Sequence, residues 1–370
     1  MGQAGTLIGV AYEVATCGLL LGRSGRHADA VSAMQQAYSA CLMAACGLPV
    51  SVELRPPAEV PAIAHAEHFL FRIARNSLRV LARNDGIQQG ISHLRRLGPI
   101  GALCGSAARM LSDGQTAECV VDIGDGADCG CYRRFAFSSA SAEATLLPDP
   151  FFSESIGYEE LRRTVAAEAK PWAERRPVVF WRGSLTGIAK PWPAPGQPLD
   201  LGALPRLALC AAARALAEPA RADIGVTSYE QIGRPDLRRQ IQESGLLKPH
   251  VEKSDFMAYR YLVDIDGNTN SWGLFEKLVM GATILKVESR DGFRQWYYDR
   301  LLPWTHYVPV AADLSDFAAK VDWLFDHPTE AEAMAANAAD LAAEMDFTQV
   351  ILESEARFAL GLAQSGVALS

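Results

Sequence analysis

The run YLVDIDGNTNSWGLFEKLVMGATILKV, residues 261–287, decides the fold of this chain. Its apolar start predicts a β-strand, and the polar segment Gly267–Asn270 predicts a loop. A helix is predicted over Trp272–Met280, because Gly281 suits the position that follows a last helical turn. The residues Thr283–Val287 then predict a second strand. Strand, loop, helix and strand in succession indicate an α/β sheet, in which phosphate-bearing ligands bind at the carboxyl ends of strands.

Two chemical interpretations of this stretch stay open. Asp264 and Asp266 could hold a divalent metal against a nucleotide-sugar diphosphate, as in metal-dependent glycosyltransferases built on a single sheet. Alternatively, Glu276 resembles the carboxylate on the ribose-binding helix of two-domain (GT-B) glycosyltransferases. An EF-hand calcium loop does not fit, because it would need glycine at Thr269 and glutamate at Phe275. An isolated pair of aspartates most often simply ends a strand.

Length and composition limit the choice of class. The 370 residues predict two domains, and 49% hydrophobic with 21% charged residues is ordinary globular composition. The formal net charge of −8 argues against a nucleic-acid partner. With no apolar run of about 18 residues, no membrane-spanning helix is predicted. The apolar start Leu7–Leu21 has no leading basic cluster, so we expect no signal peptide. Eight cysteines without a Cys-x-x-Cys pair indicate reduced thiols of a cytoplasmic protein.

Two further strand ends carry candidate ligand-binding residues. The strand Pro177–Trp181 is followed by Arg182-Gly183-Ser184, in which a forked donor, a close backbone approach and a hydroxyl would suit a diphosphate. A plain solvated turn is an equally good interpretation of this segment. The strand Ala117–Ile123 leads into a glycine-flanked loop with Asp125 and Asp128, although most aspartates in such loops are turn residues.

Outside these stretches the sequence predicts helices at 4–22, 28–46, 62–83 and 87–97, the last ended by Gly98-Pro99. A later helix is predicted at 292–301. From residue 177 onward strands and helices alternate, which favours a parallel sheet.

Several blocks together resemble glycosyltransferase family 90, which includes capsule xylosyltransferases, protein O-glucosyltransferases and bacterial lipopolysaccharide glycosyltransferases. The blocks are Phe180–Ser184, Asp266–Asn268, Leu285–Lys286 and Pro303–Val310 with Asp313–Asp316 after it. The resemblance implies an α/β fold of GT-B type, with two Rossmann-like domains facing across a cleft, here with an N-terminal helical extension. It also implies inverting transfer from a UDP-sugar donor without an obligatory metal. The expected domains are an N-terminal helical segment (1–48), an acceptor-side α/β domain (49–176), a nucleotide-sugar-binding Rossmann-like domain (177–345) and a C-terminal helix (346–370).

The resemblance also implies roles for particular residues. Asp125 matches the family's catalytic base, Arg182 falls on its donor-binding arginine, and Asp149 is expected on the acceptor side. Many family members have an arginine where Gly273 stands here. Either another cation supplies that charge or donor binding is altered, and the candidate cations are Arg182, Lys286, Arg260 and Arg290. The expected donor-binding residues are Arg182, Gly183, Ser184, Asp266, Gly267, Asn268, Asn270, Ser271, Glu276 and Lys286.

Partners follow from the same resemblance. The expected reaction moves glucose or xylose from a UDP-sugar to a hydroxyl of a glycan, lipopolysaccharide or protein acceptor. The alternatives are a metal-dependent transferase using Asp264 and Asp266, and a degenerate, non-catalytic nucleotide-sugar-binding protein. A bacterial protein of the cytoplasm is expected, and association with the surface of the inner membrane is compatible with this assignment.

Overall fold

The computed structural model describes residues 2–125, 134–187 and 194–364, excluding the side chains of 2–6, 134 and 364. The chain divides into two compact units. The N-terminal unit comprises 1–154 and 347–370, and the C-terminal unit comprises 155–346. Residues 155–176, which the sequence placed in the first domain, are thus part of the second unit, and the C-terminal helix is part of the first.

The N-terminal unit begins with two helices that pack on each other, α1 (Gly2–Arg23) and α2 (His27–Cys46). The helix α2 buries Met34, Tyr38, Cys41 and Leu42, which recur at the three- and four-residue spacing of one helix face. These helices are the N-terminal helical segment that the sequence predicted.

A six-stranded mixed sheet forms the rest of the core of this unit. The strand at 68–74 is antiparallel to the strands at 77–83 and 116–122, whereas the other neighbours are parallel. The strands, in the sheet order β1-β3-β2-β4-β5-β6, are β1 (Val50–Arg55), β3 (Ser77–Arg83), β2 (His68–Ala74), β4 (Thr116–Asp122), β5 (Arg134–Ala136) and β6 (Thr145–Leu146).

The predicted helix at 62–83 is wrong, because this segment forms the hairpin of β2 and β3. Alternate residues Phe69, Phe71 and Ile73 of β2 are buried, as the two-residue period of a strand requires. Leu78 continues the same alternation in β3. The apolar residues of segment 62–83 fit both the helical and the strand period in part. The hydrogen-bonded pairing of β2 with β4 favours the strand.

The predicted helix end at Gly98-Pro99 is also wrong, because α3 (Gly90–Met110) continues past Pro99. The proline removes one backbone hydrogen bond. The helix persists because Leu97, Ile100, Leu103 and Cys104 on both sides of the proline are buried in the core. The short helix α4 (Pro150–Glu154) and the C-terminal α11 (Phe347–Gln364) pack against α3.

The C-terminal unit contains a five-stranded sheet in which all neighbours are parallel. The chain runs from β7 (Arg176–Ser184) to its neighbour β8 (Ala222–Ser228), and then crosses to the other side of β7 to form β9 (Tyr259–Asp264). In a parallel sheet with this strand order, the chain leaves two adjacent strands in opposite directions, and a crevice forms at their carboxyl ends. Here the two strands are β7 and β9. The strands, in the order β11-β10-β9-β7-β8, are Val308–Val310, Thr283–Val287, Tyr259–Asp264, Arg176–Ser184 and Ala222–Ser228.

The helix predicted over 272–280 forms over Leu274–Val279, and the α/β class with a helical N-terminus is confirmed. The predicted helix at 292–301 is wrong, because this segment forms only a 3₁₀ turn at Tyr298–Arg300. There, Trp296 and Tyr297 are buried against Phe275. The helices are α5 (Glu159–Glu168), α6 (Pro205–Arg214), α7 (Pro235–Glu243), α8 (Leu274–Val279), α9 (Phe317–Asp326) and α10 (Pro328–Glu344).

None of the helices in the described part of the chain combines the length and the apolar character that crossing a membrane requires.

Candidate functional site

A cleft of about 540 Å³ opens at the carboxyl ends of β7 and β8, next to the start of α8. Its size falls in the range of small-molecule sites. Five of the residues that the sequence assigned to the donor line it, namely Arg182, Gly183, Ser184, Ser271 and Glu276. The other lining residues are Trp181, Arg206, Thr227, Ser228, His250, Val251, Lys253, Phe256, Trp272, Gly273, Lys277 and Met280.

Arg182 lies in a strand and not in the predicted turn, because β7 continues to Ser184. From this position its guanidinium reaches the neighbouring strand β8, where Nη2 donates to Asp223 Oδ1 at 2.8 Å and to Oδ2 at 2.9 Å. Lys248 Nζ also contacts Asp223 Oδ1, at 2.5 Å. The cation at Arg182 therefore already has a carboxylate partner, which stabilises the pairing of β7 with β8 at the base of the cleft.

The packing of the Trp181 side chain requires glycine at position 183. A Cβ at this position would lie 2.6 Å from Cζ2 of Trp181, a distance that real side chains do not adopt. The Trp181 indole is buried under the cleft, and the guanidinium of Arg206 lies 5.7 Å from its ring centroid. Glycine at position 183 thus allows the backbone near the end of β7 to pass close to the Trp181 ring.

Arg206, in the first turn of α6, ties the loops at this edge together, and sequence reasoning missed it. Its guanidinium donates to the carbonyl oxygens of Ser184 at 2.8 Å and Asp266 at 3.1 Å, and to Thr186 Oγ1 at 2.7 Å. Burial lowers the pKa of Arg206 to about 10, so the side chain remains a cation at neutral pH. No local sequence pattern points to Arg206, because the carbonyls that it binds belong to residues 22 and 60 positions away along the chain.

The loop after β9 packs closely against the loop after β7. A Cβ on Gly267 would lie 2.5 Å from Thr186 Oγ1, and Asn268 Oδ1 accepts the amide of Gly187 at 3.0 Å. Asn270 is 2% exposed, and within the described residues neither its amide oxygen nor its amide nitrogen has a hydrogen-bond partner. A buried unpaired amide costs free energy, so these atoms favour binding a water or a polar ligand group.

Asp264, at the end of β9, forms a buried ion pair that the sequence did not reveal. Lys277 Nζ on α8 lies 2.6 Å from Asp264 Oδ1, and the aspartate is fully buried. Burial alone would raise the pKa of Asp264, but Lys277 and Lys286 outweigh it and hold that pKa below its usual value. The Lys286 ammonium also lies 4.6 Å from the centroid of the Tyr298 ring.

Asp266 behaves differently from Asp264, although the two are separated by one residue. Burial raises the pKa of the Asp266 carboxyl to about 6, although Ser289 and Lys286 act in the opposite direction. With Gly267 and Asn268 it lines a small cavity of about 20 Å³ beside the cleft. No three His, Cys, Asp or Glu side chains converge as metal ligands anywhere in the described ranges.

The raised pKa of Asp266 predicts how the free energy of unfolding depends on pH. An unfolded aspartate has a pKa of 3.8, so the penalty that the partly buried carboxyl imposes on the folded state builds up between about pH 4 and pH 6 and is complete above that range. We expect Asp266→Asn to be more stable than the parent protein at pH 8, by up to about 3 kcal/mol, with a smaller gap at pH 5. Urea unfolding at both pH values measures this gap.

The exposed Asp113 on the N-terminal unit provides the control for this experiment. Its side chain is 89% exposed, so Asp113→Asn should stay within about 0.5 kcal/mol of the parent protein at both pH values. A gap for Asp266→Asn that does not change with pH would show that the Asp266 carboxyl is not in the buried environment described above.

Glu276 presents its carboxylate to the cleft from α8. Its side chain is 15% exposed, and Lys253 Nζ contacts Oε1 at 2.7 Å. The neighbouring Gly273 leaves open space, since a Cβ there would come no closer than 3.7 Å to Glu276 Oε2. The cleft therefore combines a fixed carboxylate, an exposed lysine and room for a ligand, at the place where the expected arginine is absent.

Asp125 and Asp149 belong to the N-terminal unit. Arg96 Nη2 donates to Asp125 Oδ1 at 2.7 Å, while Nη1 donates to the carbonyl of Ile123 at 2.7 Å. The Asp125 side chain is 38% exposed, whereas Asp149 is buried and accepts the amide of Phe152 at 3.0 Å. Arg96 thus fixes the orientation of an accessible carboxylate, and Asp149 caps the short helix α4.

The cysteines that the structure describes are free thiols, and Cys17 is exposed. Burial raises the pKa of Cys41 to about 11, which fits an unreactive thiol. Asp128, which the sequence singled out, lies outside the described residues, as do Cys129 and Cys131.

Residues 206–351 match the model described as Glycosyl transferase family 90. This segment belongs to glycosyltransferase family 90. The family 90 segment begins at Arg206 and includes the loop after β9, helix α8 with Glu276 and Lys277, and strands β10 and β11.

Curated relatives match the chain over short stretches. Protein O-glucosyltransferase 2 of Danio rerio is 35% identical over 91 residues, which is 25% of this chain and 18% of that protein. Uncharacterized protein 035R of Invertebrate iridescent virus 3 is 33% identical over 125 residues, which is 31% of this chain and 11% of that protein. The matches therefore span less than a fifth of the length of these relatives.

Solved structures give distant similarities. Anabaena Alr3699/HepE in complex with UDP-glucose is 14% identical, with a TM-score of 0.34, over 56% of this chain and 52% of that one. A glycosyltransferase from Rickettsia africae ESF-5 is 9% identical, with a TM-score of 0.38, over 62% of this chain and 63% of that one.

Proposed function

We propose that this protein is an inverting glycosyltransferase that moves a sugar from a UDP-sugar to a hydroxyl group of an acceptor. The cleft at the carboxyl ends of β7 and β8 is the proposed donor site. One observation carries the proposal: the family 90 segment supplies the wall of this cleft that contains Ser271, Glu276 and Lys277.

The proposed recognition of the nucleotide begins at Glu276. The two adjacent hydroxyls of a ribose can each donate a hydrogen bond to one carboxylate oxygen, and charge-assisted bonds of this kind are strong. Lys253 Nζ contacts Glu276 Oε1 at 2.7 Å, which orients the carboxylate for this task. The exposed ammonium of Lys253 and the backbone amides near Asn270 would then attract the diphosphate.

The proposed chemical step is a direct displacement. The acceptor oxygen forms a bond to the anomeric carbon while the bond from that carbon to UDP breaks, so that the configuration inverts. Asp125 would receive the proton of the acceptor hydroxyl, and Arg96 would orient it. Positive charge in the cleft would stabilise the developing charge on UDP, the term that usually contributes most to such catalysis.

Glucose is the first donor sugar to test, because protein O-glucosyltransferases are among the relatives. Xylose is the alternative. We propose a glycan or lipid-linked saccharide, such as a lipopolysaccharide, as the acceptor, and the cytoplasmic face of a bacterial inner membrane as the place of action.

Nucleotide binding tests the donor site. We expect UDP at about a hundredfold excess over its Kd to stabilise the protein by about 2.7 kcal/mol in thermal unfolding, with or without EDTA. GDP and CMP should stabilise it less. Glu276→Gln should weaken UDP binding roughly 10- to 100-fold, because the bonds from the ribose lose their charge assistance. Calorimetric titration of both proteins measures the change.

Glu252→Gln is the matched control, since this glutamate is 77% exposed and contacts His250 near the same cleft. It should bind UDP as the parent protein does. Equal UDP affinity in Glu276→Gln would remove Glu276 from the ribose site. A shift that EDTA abolishes would favour the metal-dependent alternative, and the absence of any nucleotide shift would overturn the donor site itself.

A further inference from the structure

A second cavity, smaller and more apolar than the cleft, lies in the N-terminal unit. It has a volume of about 390 Å³ and is enclosed by α1, α2, α3 and α11 together with the segment after β6. This volume is within the range of small-molecule sites. Every residue that lines it belongs to the N-terminal unit, so it is separate from the cleft that contains Glu276.

The chemistry of the lining changes from the inside to the edge. The interior is apolar, with Leu94, Leu103, Phe137 and Ile351 among its walls. Ile8 also lines the cavity and is 43% exposed, so its apolar surface continues to the solvent. An apolar ligand that enters here can therefore remain in contact with apolar side chains along its whole path.

The polar groups of the cavity are arranged as an ion pair at its edge. Arg95 Nε lies 2.9 Å and 3.1 Å from the two carboxylate oxygens of Glu154, and both side chains are partly exposed. Glu355 adds a further negative charge to the lining. Since Glu154 already neutralises Arg95, the edge disfavours an anionic head group and offers donors and acceptors for a head group rich in hydroxyls.

We propose that this cavity binds the single hydrocarbon chain of a lipid with an uncharged, hydroxyl-rich head group, such as a glycolipid. The lining excludes a purely polar ligand, because it could not satisfy the hydrogen bonds of such a ligand in the interior. Its role rests on the proposed function: the lipid is the anchor that carries the acceptor sugar. Binding of the lipid does not depend on the transfer reaction, so the two proposals can fail separately.

Gly98 provides the sharpest test. It lines the cavity, and a Cβ added there would have no atom within 4 Å, so Gly98→Leu fills empty space. Dodecyl maltoside, below its critical micelle concentration, serves as the probe in calorimetric titration and native mass spectrometry. We expect binding of one molecule per chain, at least about tenfold weaker in Gly98→Leu, and no binding of maltose. Laurate, with the same chain length and a carboxylate, should bind more weakly than the maltoside.

Gly9→Leu is the matched control, because Gly9 is also helical and a Cβ there would likewise meet nothing within 4 Å. It should bind the maltoside as the parent protein does. Ala102→Phe, at another residue of the lining, is the second variant if leucine before Pro99 prevents folding. Parent-like binding in a folded cavity variant, or no one-to-one binding in the parent protein, would overturn the inference. Stabilisation by UDP should be unchanged in each variant, which separates this outcome from a failure of the donor site.

Discussion

Lys277→Met is expected to lower the free energy of unfolding by about 3–5 kcal/mol. The reason is the fully buried Asp264, whose Oδ1 lies 2.6 Å from Lys277 Nζ. Methionine fills a similar volume but removes the cation that contacts the carboxylate directly, so that of the two lysines only Lys286 still acts on it in a low-dielectric environment. Removing one member of such a pair costs much more than the pair contributes as a whole, because the remaining charge is uncompensated.

Urea unfolding at pH 7 measures this loss, and a double variant separates its causes. Asp264→Asn combined with Lys277→Met removes both charges and should recover most of the stability that the single change loses. Arg163→Met is the exposed control: its partner Glu160 is 2.9 Å away on the surface of α5, so a change below about 1 kcal/mol is expected. A loss of that small size for Lys277→Met would show that Asp264 does not depend on Lys277.

This pair explains why the two aspartates of the Asp264-Ile265-Asp266 run differ. Asp264 is the last residue of β9 and faces α8, so Lys277 neutralises it beneath the cleft. Asp266 lies beyond the strand in the loop that Arg206 holds, and its pKa is raised. A pattern of two carboxylates in sequence therefore does not reveal whether they act together, because that depends on where the strand ends.

The unit from β9 to β10 was predictable because its signals are local. The strand Thr283–Val287 was predicted with the bounds that β10 has, and Gly281 adopts the positive φ of 61° that suits the end of a helix. Helix α8 is shorter than the predicted 272–280, since it begins only at Leu274. Capping residues and hydrophobic runs lie within a few positions of each other, so the sequence shows them directly.

The partners of the candidate site residues were not predictable, because they come from distant parts of the chain. Arg182 pairs with Asp223, and the carbonyls near Ser184 and Asp266 are held by Arg206. These contacts depend on the order of strands in the sheet, which no local pattern encodes. The segment 62–83 failed for a related reason, since its alternating residues fit a strand only when β4 is available to pair with it.

Asp125→Asn is expected to reduce turnover by about 10²–10⁴-fold, the usual contribution of a general base. Asparagine keeps the size of the side chain and can still accept the hydrogen bond from Arg96 Nη2, but it cannot take a proton. UDP affinity should be unchanged, because the proposed donor site is in the C-terminal unit. The loss should therefore appear in kcat, measured as UDP release from UDP-glucose in the presence of a glycolipid acceptor.

Two variants make this result interpretable. Asp113→Asn, at an exposed aspartate of the same unit, should turn over as the parent protein does. Asp122→Asn tests the neighbouring carboxylate, which is buried, accepts the amide of Gly124 at 2.8 Å and lies 3.6 Å from His68 Nε2. Its loss should reduce stability more than it changes kcat in the folded fraction. Near-normal turnover by folded Asp125→Asn, together with a large loss of kcat in folded Asp122→Asn, would move the role of base from Asp125 to Asp122.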